Sequence, residues 1–234
     1  MKTRAFMLLV VASAAVLAAR VSGAPAAGSA SEYAAVARFL EDVERSPVAY
    51  QARRRLEAAS EKLHESAWLE VVTEYSAESG FNYRVLDQGG SERILRRVLR
   101  SVLETEKSTA ALERWRAGAL SRDNYEFVFD GRTPEGLLRL NLIPRRRDAR
   151  LVNGAALLSP DSGGLARLEG QLSKSPSFWV KWVKVTRRYT QVGGSVMPVA
   201  LESVADVKIA GQSTFAMTYE YQMVNGQKVT GSGF

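Results

Sequence analysis

Few side chains in this chain could do covalent chemistry, and their spacing argues against it. The single histidine, His64, stands in a polar stretch between two predicted strands. A serine nucleophile would need that histidine as its base, and no serine occupies a G-x-S-x-G elbow. With no cysteine and one histidine, the clusters that first-row metals favour cannot be assembled. Asp161-Ser162-Gly163-Gly164 is too short for a calcium loop and reads as a turn. Glu70 and Glu74 form a pair of carboxylates, but four residues apart on a solvated strand face they suit salt bridges better than glycosidase chemistry. The Gly-Gly pairs separate strand from strand, not strand from helix, so no phosphate-binding loop is present. The expectation is a protein that is not an enzyme, with no cofactor and no metal.

What remains is apolar surface. In the last strand Phe215, Met217, Tyr219, Tyr221 and Met223 face one way, while Ala216, Thr218, Glu220 and Gln222 face the other. Tyr83, Phe127, Phe129 and Trp182 add aromatic rings from earlier strands, and Trp115 adds one from a predicted helix. Methionine and aromatic side chains can serve as ordinary core or line a space for an irregular apolar guest. Burying an acyl chain gains about 0.8 kcal/mol per methylene, so hydrophobic contact alone can hold one. Tyr83, Trp115, Phe127, Phe129, Trp182, Phe215, Met217, Tyr219 and Tyr221 are therefore the candidate lining of a lipid site.

The elements that must position these residues follow from periodicity. Ser31 is expected to cap a short helix with Tyr33, Val36, Phe39, Leu40 and Val43 on one face, ended by Pro47. Strands are expected over 50–58, 67–75 and 81–87, with Arg54 a misfit on the apolar side of the first. From Ser91 a helix carries the stripe Ile94, Leu95, Val98, Leu99, Val102 and Leu103. A second helix is expected from Thr109 to Leu120, with Leu112, Trp115 and Ala119 inward. After Asp123 the period is two: from Tyr125 to Met223 six or seven strands follow with little room for a helix. Such a run implies an α+β fold: one large curved antiparallel sheet, an unclosed β-barrel, under a lid of two or three helices. The strand expected over 178–189 is apolar on both sides: Phe178, Val180 and Trp182 against Trp179, Val183 and Val185. Trp179 and Lys181 mark it as a candidate docking surface.

The N-terminal residues 1–23 read as a cleaved export signal. Lys2 and Arg4 precede an apolar run from Phe6 to Ala19, and Val21-Ser22-Gly23 fits a cleavage site. The run falls short of the roughly 20 apolar residues of a membrane helix. Residues 24–30 are expected to be a flexible leader, and 31–234 a single domain in a periplasmic or extracytoplasmic space of a bacterium. Because Lys2, Arg4 and Arg20 leave with the signal, the net charge falls from +7 to +4. The remaining arginines, including Arg53-Arg54-Arg55, Arg145-Arg146-Arg147 and Arg187-Arg188, are scattered among acids. That pattern excludes a nucleic-acid face and suits solvated strand ends. Without cysteine the fold must rest on its core rather than on disulfides.

Two segments resemble a known superfamily. Leu137 to Leu158, with its Leu142-Ile143-Pro144 step followed by basic residues and a new strand, looks like the middle of LolA-like proteins. Ser195-Val196-Met197-Pro198 leading into the strand to Ile209, and the strand from Phe215, resemble their closing meander. That superfamily includes periplasmic lipoprotein carriers and RseB-type regulatory domains, in which an unclosed barrel wraps apolar surface under a helical lid. The resemblance implies a partner that is a lipid or lipidated protein, or alternatively another envelope protein.

Overall fold

The computed structural model of the chain describes residues 28–42, 49–111 and 114–229. The expected export signal lies outside these residues, as do Val43, Pro47 and Leu112. Within them, eleven strands form one antiparallel sheet. They are β1 (Tyr50–Ser60), β2 (Glu65–Ser76), β3 (Gly80–Gly90), β4 (Tyr125–Arg132), β5 (Leu138–Pro144), β6 (Val152–Leu158), β7 (Leu165–Leu172), β8 (Val180–Val192), β9 (Ser195–Val207), β10 (Gly211–Val224) and the stub β11 (Gln227–Lys228). The spatial order is β3-β2-β1-β10-β9-β8-β7-β6-β5-β4, with β11 beside β10. Two meanders are thus joined where β1 pairs with β10, and the ends β3 and β4 stay unpaired with each other. The expected unclosed sheet is what the chain builds.

Curvature comes from irregularities in the ladder. Bulges interrupt the pairing at Gln51/Ala52, Glu70/Val71 and Phe129/Arg132, and twice along β8–β9, and each bends its strand. At Gly154 and Gly170, partners across β6 and β7, a Cβ on Gly154 would lie 2.0 Å from the Glu169 carbonyl oxygen. Only glycine lets the two backbones approach this closely.

Two helices cover the concave side, one for each meander. Helix α1 (Ala30–Asp42) buries Ala35, Val36 and Phe39 against Tyr125, Leu138, Leu140, Leu142, Leu158 and neighbours. Its N terminus is closed by a capping box in which Ser29 Oγ accepts from the Glu32 amide and Glu32 accepts from the Ser29 amide. Ser29 therefore replaces the expected Ser31 as cap. Arg38 donates to the carbonyls of Asp161 and Ser162, fastening α1 to the turn between β6 and β7. The second helix runs Glu92–Ile94, passes through a π-helical turn at Leu95–Leu99 and continues as Arg100–Ala111; we treat the three as one helix, α2. Ile94, Leu95, Leu99 and Leu103 are its buried stripe, packed on β1, β2 and β3.

Two expectations are corrected. No separate helix starts at Thr109: α2 continues through that position to Ala111, and a 3-10 turn spans Arg114–Gly118. The Asn124 amide donates to the carbonyls of Arg116 and Ala119, tying this turn to the start of β4. Phe178 and Trp179 precede β8 instead of opening it, and a bulge at Val180/Trp182 breaks the two-sided alternation expected there.

Candidate ligand-binding site

The space beneath α2 is organised by one buried charge. Arg54, the misfit on β1, is 1 % exposed. It points inward because its neighbours Ala52 and Leu56, two residues away along the same strand, are core residues. Its guanidinium makes a bidentate pair with Glu106 of α2, Nη1 donating to Oε2 at 2.8 Å and Nη2 to Oε1 at 3.1 Å. Nη2 also donates to the Tyr50 hydroxyl. Three rings surround it, with centroids 4.6 Å away for Tyr219, 5.3 Å for Phe81 and 5.5 Å for Tyr50. Burial works against the charge, but Tyr219, Glu106 and Tyr50 more than offset it, so Arg54 stays protonated. Burial raises the Tyr219 hydroxyl, with Arg54 and Arg187 opposing, and raises Tyr50. A buried polar clasp thus joins sheet and helix within a largely apolar core.

The expected lining residues divide among different places. Met217, Tyr219 and Tyr221 are buried beneath α2, and Phe215 packs at the edge of the same cluster. Tyr83 lies beside them on β3, its hydroxyl bonded to Glu104 of α2. It borders a groove of about 540 Å³ between β3 and α2, whose other walls include Arg96, Arg100, Glu104 and Ser108. Phe127 and Phe129 belong to the other core, under α1, where Phe127 meets Phe39 edge-on and Phe129 meets Tyr33. Trp182 is half-buried with Lys184 over its ring, apart from both clusters. Trp115 lies outside the residues whose side chains are described. Five of the nine are therefore gathered at α2.

Sequence reasoning passed over three members of this site. Glu106 continues the helical stripe Leu95, Leu99, Leu103 at helical spacing, which was the signal to look for. Tyr50 is four residues before Arg54. By its place in the sequence Arg187 reads with Arg188 as a solvated strand end, whereas its Nε is fully enclosed. The two adjacent arginines take opposite faces, and Arg188 pairs with Glu202 on the exposed side.

The residues weighed for catalysis fall elsewhere. His64 is exposed in the β1–β2 turn with φ 49°. Glu70 pairs with Arg53 and Arg55 on the outer face, and Glu74 accepts from Gln51. At the far end of the sheet Phe178 is 75 % exposed, Trp179 53 % and Ile209 59 %. Lys208 sits 3.4 Å from the Phe178 ring centroid, and Lys181 pairs with Asp206 at 2.9 Å.

No family model matches the chain, and no curated protein matches it. Among solved structures, a LolA superfamily protein from Nitrosomonas europaea is similar, with a TM-score of 0.45 and 8 % identity over 86 % of this chain and 94 % of that one. A DUF1329 family protein from Desulfovibrio piger is similar at a TM-score of 0.36 and 8 % identity, covering 81 % and 91 % of the two chains.

Proposed function

We propose that this chain is an exported, non-enzymatic binding protein that holds a lipid or a lipoprotein acyl chain between its curved sheet and helix α2. The observation that carries this reading is the clasp itself. Helix α2 lies over an aromatic and methionine-rich face, and its buried polar tie to that face is the Arg54–Glu106 pair. The guanidinium and three rings fill the centre of that face. Release of Glu106 would let α2 lift and expose Met217, Tyr219 and Tyr221 to an acyl chain. The π-helical turn at Leu95–Leu99 is where the helix would bend, since such turns loosen the regular ladder. The test is organic extraction and native mass spectrometry of the mature protein purified from its own envelope. A recurring lipid in stoichiometric amount is the expected result; repeated recovery of empty protein that also binds no added fatty acid would overturn the reading.

A second reading, docking of another envelope protein, is favoured by the exposed Phe178, Trp179 and Ile209 beside Lys181 and Lys208. A partner with an acidic, apolar-centred surface would complement it. Retention of a lipid-free partner, lost on Trp179→Ala, would support this reading over the first. A Trp179→Ala variant that lowers stability yet leaves every partner and ligand bound would remove it.

A further inference from the structure

Among the described residues, the guanidinium groups of Arg54 and Arg187 both face the interior beneath α2, and Glu106 is the carboxylate beside them. Arg187 lies opposite Leu201, Leu201 opposite Met217, and Met217 opposite Leu56, one row across β8, β9, β10 and β1. Paired residues in adjacent strands share a face, so Arg187 points to the same concave side as the buried Met217 and Leu56. Met217 also touches Arg54, its sulfur 4.0 Å from Nη1. The two guanidinium groups therefore occupy neighbouring rows of one interior. Glu106 is the carboxylate that acts on both, and its two oxygens are taken by Arg54. Among the described residues, the Nε of Arg187 and the Nε of Arg54 have no hydrogen-bond partner, though both are enclosed. Arg187 as a whole is half-buried with its Nε enclosed, and a cation so placed without a carboxylate of its own favours an anion beside it.

The position is also informative. Val185 and Tyr189 on β8 pack at the margin of the core under α1, whereas Leu201 across from Arg187 packs at the margin of the core under α2. Arg187 sits on the seam between the two, with Tyr189 and Tyr219 beside it. An amphiphile whose tail enters under α2 would bring its polar end to this seam.

We infer that Arg187 seats the anionic head group of the bound molecule, with Arg54 and the Tyr189 and Tyr219 hydroxyls around it. The ligand class is thereby an amphiphile ending in an oxyanion, a carboxylate or phosphate ester, in preference to a neutral lipid. This rests on the lipid-holding reading. The arrangement needs no bond to be made or broken.

The experiment is equilibrium binding of a fluorescent fatty acid and its methyl ester to the mature wild-type chain and to Arg187→Gln and Arg187→Lys. The wild type is expected to prefer the acid by about tenfold or more, the equivalent of one charge-assisted hydrogen bond. Arg187→Gln is expected to lose that preference while keeping its affinity for the ester, and Arg187→Lys to retain part of it. Equal binding of acid and ester by the wild type would overturn the inference and leave the lipid-holding reading standing. Failure of both probes to bind would overturn both. Displacement of the fatty acid by inorganic phosphate alone would also overturn it, because the free anion would then suffice. If Arg187→Gln fails to fold by circular dichroism, the wild-type preference and the Arg187→Lys variant decide the matter.

Discussion

The two halves of the sheet are built from different materials. Under α1 the core is mainly aliphatic: Leu138, Leu140, Leu142, Leu151, Leu158 and Leu168, with alanines between them and Phe39 and Tyr125 as its buried rings. Under α2 it contains Met197, Met217, Tyr219, Tyr221 and Phe81 around a buried guanidinium. Both helices are also tied from outside, α1 by Arg38 on the β6–β7 turn and by the Glu32–Arg132 ion pair, and α2 by Arg93 on Glu65 and Arg100 on Gln88, so the contrast lies in the cores. A core of close-packed leucine resists rearrangement, while methionine, tyrosine and one ion pair can be re-sorted at lower expense. The difference teaches that the α1 half is the more rigidly filled frame and the α2 half the one whose core can re-sort.

The comparison can be broken first at the frame. Leu158→Ala removes a fully buried side chain and is expected to destabilise the protein by about 3 kcal/mol, measured by denaturant unfolding. A loss below about 1 kcal/mol would mean this half collapses readily and is no frame.

The clasp gives the next largest effect. Glu106→Gln leaves Arg54 buried without its ion partner and is expected to cost about 2 kcal/mol, less than a fully buried pair because Glu106 is 36 % exposed. The double replacement Arg54→Met with Glu106→Leu is expected to recover to within about 1 kcal/mol of the wild type. If Glu106→Gln is silent in unfolding and in α2 hydrogen exchange, the clasp does not hold the helix.

A smaller effect sharpens the account of the α1 half. Asp148, between β5 and β6, accepts from Nε and Nη2 of Arg150, which holds its carboxyl well below the usual carboxylate range. A depressed acid stabilises the fold above its unfolded value of 3.8, and that contribution is lost as the pH falls through the lower folded value. Asp148→Asn is expected to cost about 1 kcal/mol at neutral pH, after screening at this partly exposed pair, and to flatten the acid limb of stability against pH. An unchanged acid limb would assign the low-pH loss to other carboxylates.

The smallest effect is expected at Trp179, where Trp179→Ala should change stability by less than about 0.5 kcal/mol because the ring is half exposed and outside both cores. A larger loss would tie that end of β8 to the frame.

Much of this contrast could be read from residue order. The one-sided pattern of β10 holds from Phe215 to Tyr221, with Met217, Tyr219 and Tyr221 buried and Thr218, Glu220 and Gln222 exposed, but at the strand end Val224 takes the buried place expected of Met223. Arg54 stood out as a charge in an apolar row, and that row is where the clasp lies. The hidden features share a cause: they depend on what another element brings. Glu106 looks like a surface acid until β1 supplies Arg54 across the interface. Arg187 looks like its neighbour Arg188 until the register with Leu201 assigns it the inner face. Trp182 looked like lining, and the bulge at Val180/Trp182 redirects that end of the strand. The division into two cores was not legible, because the pairing of β1 with β10 joins segments from opposite ends of the chain.

That pairing also sets an order of events during synthesis. Arg54 and Met217 are 163 residues apart, so the first meander emerges long before the strand that completes it. Until β10 arrives, β1 has an open edge and Arg54 lacks the Tyr219 ring. Contacts of such long range form slowly. The nascent N-terminal half is therefore held short of its native state by topology alone, and truncation before Gly211 should abolish folding of the α2 half, not merely shorten the sheet.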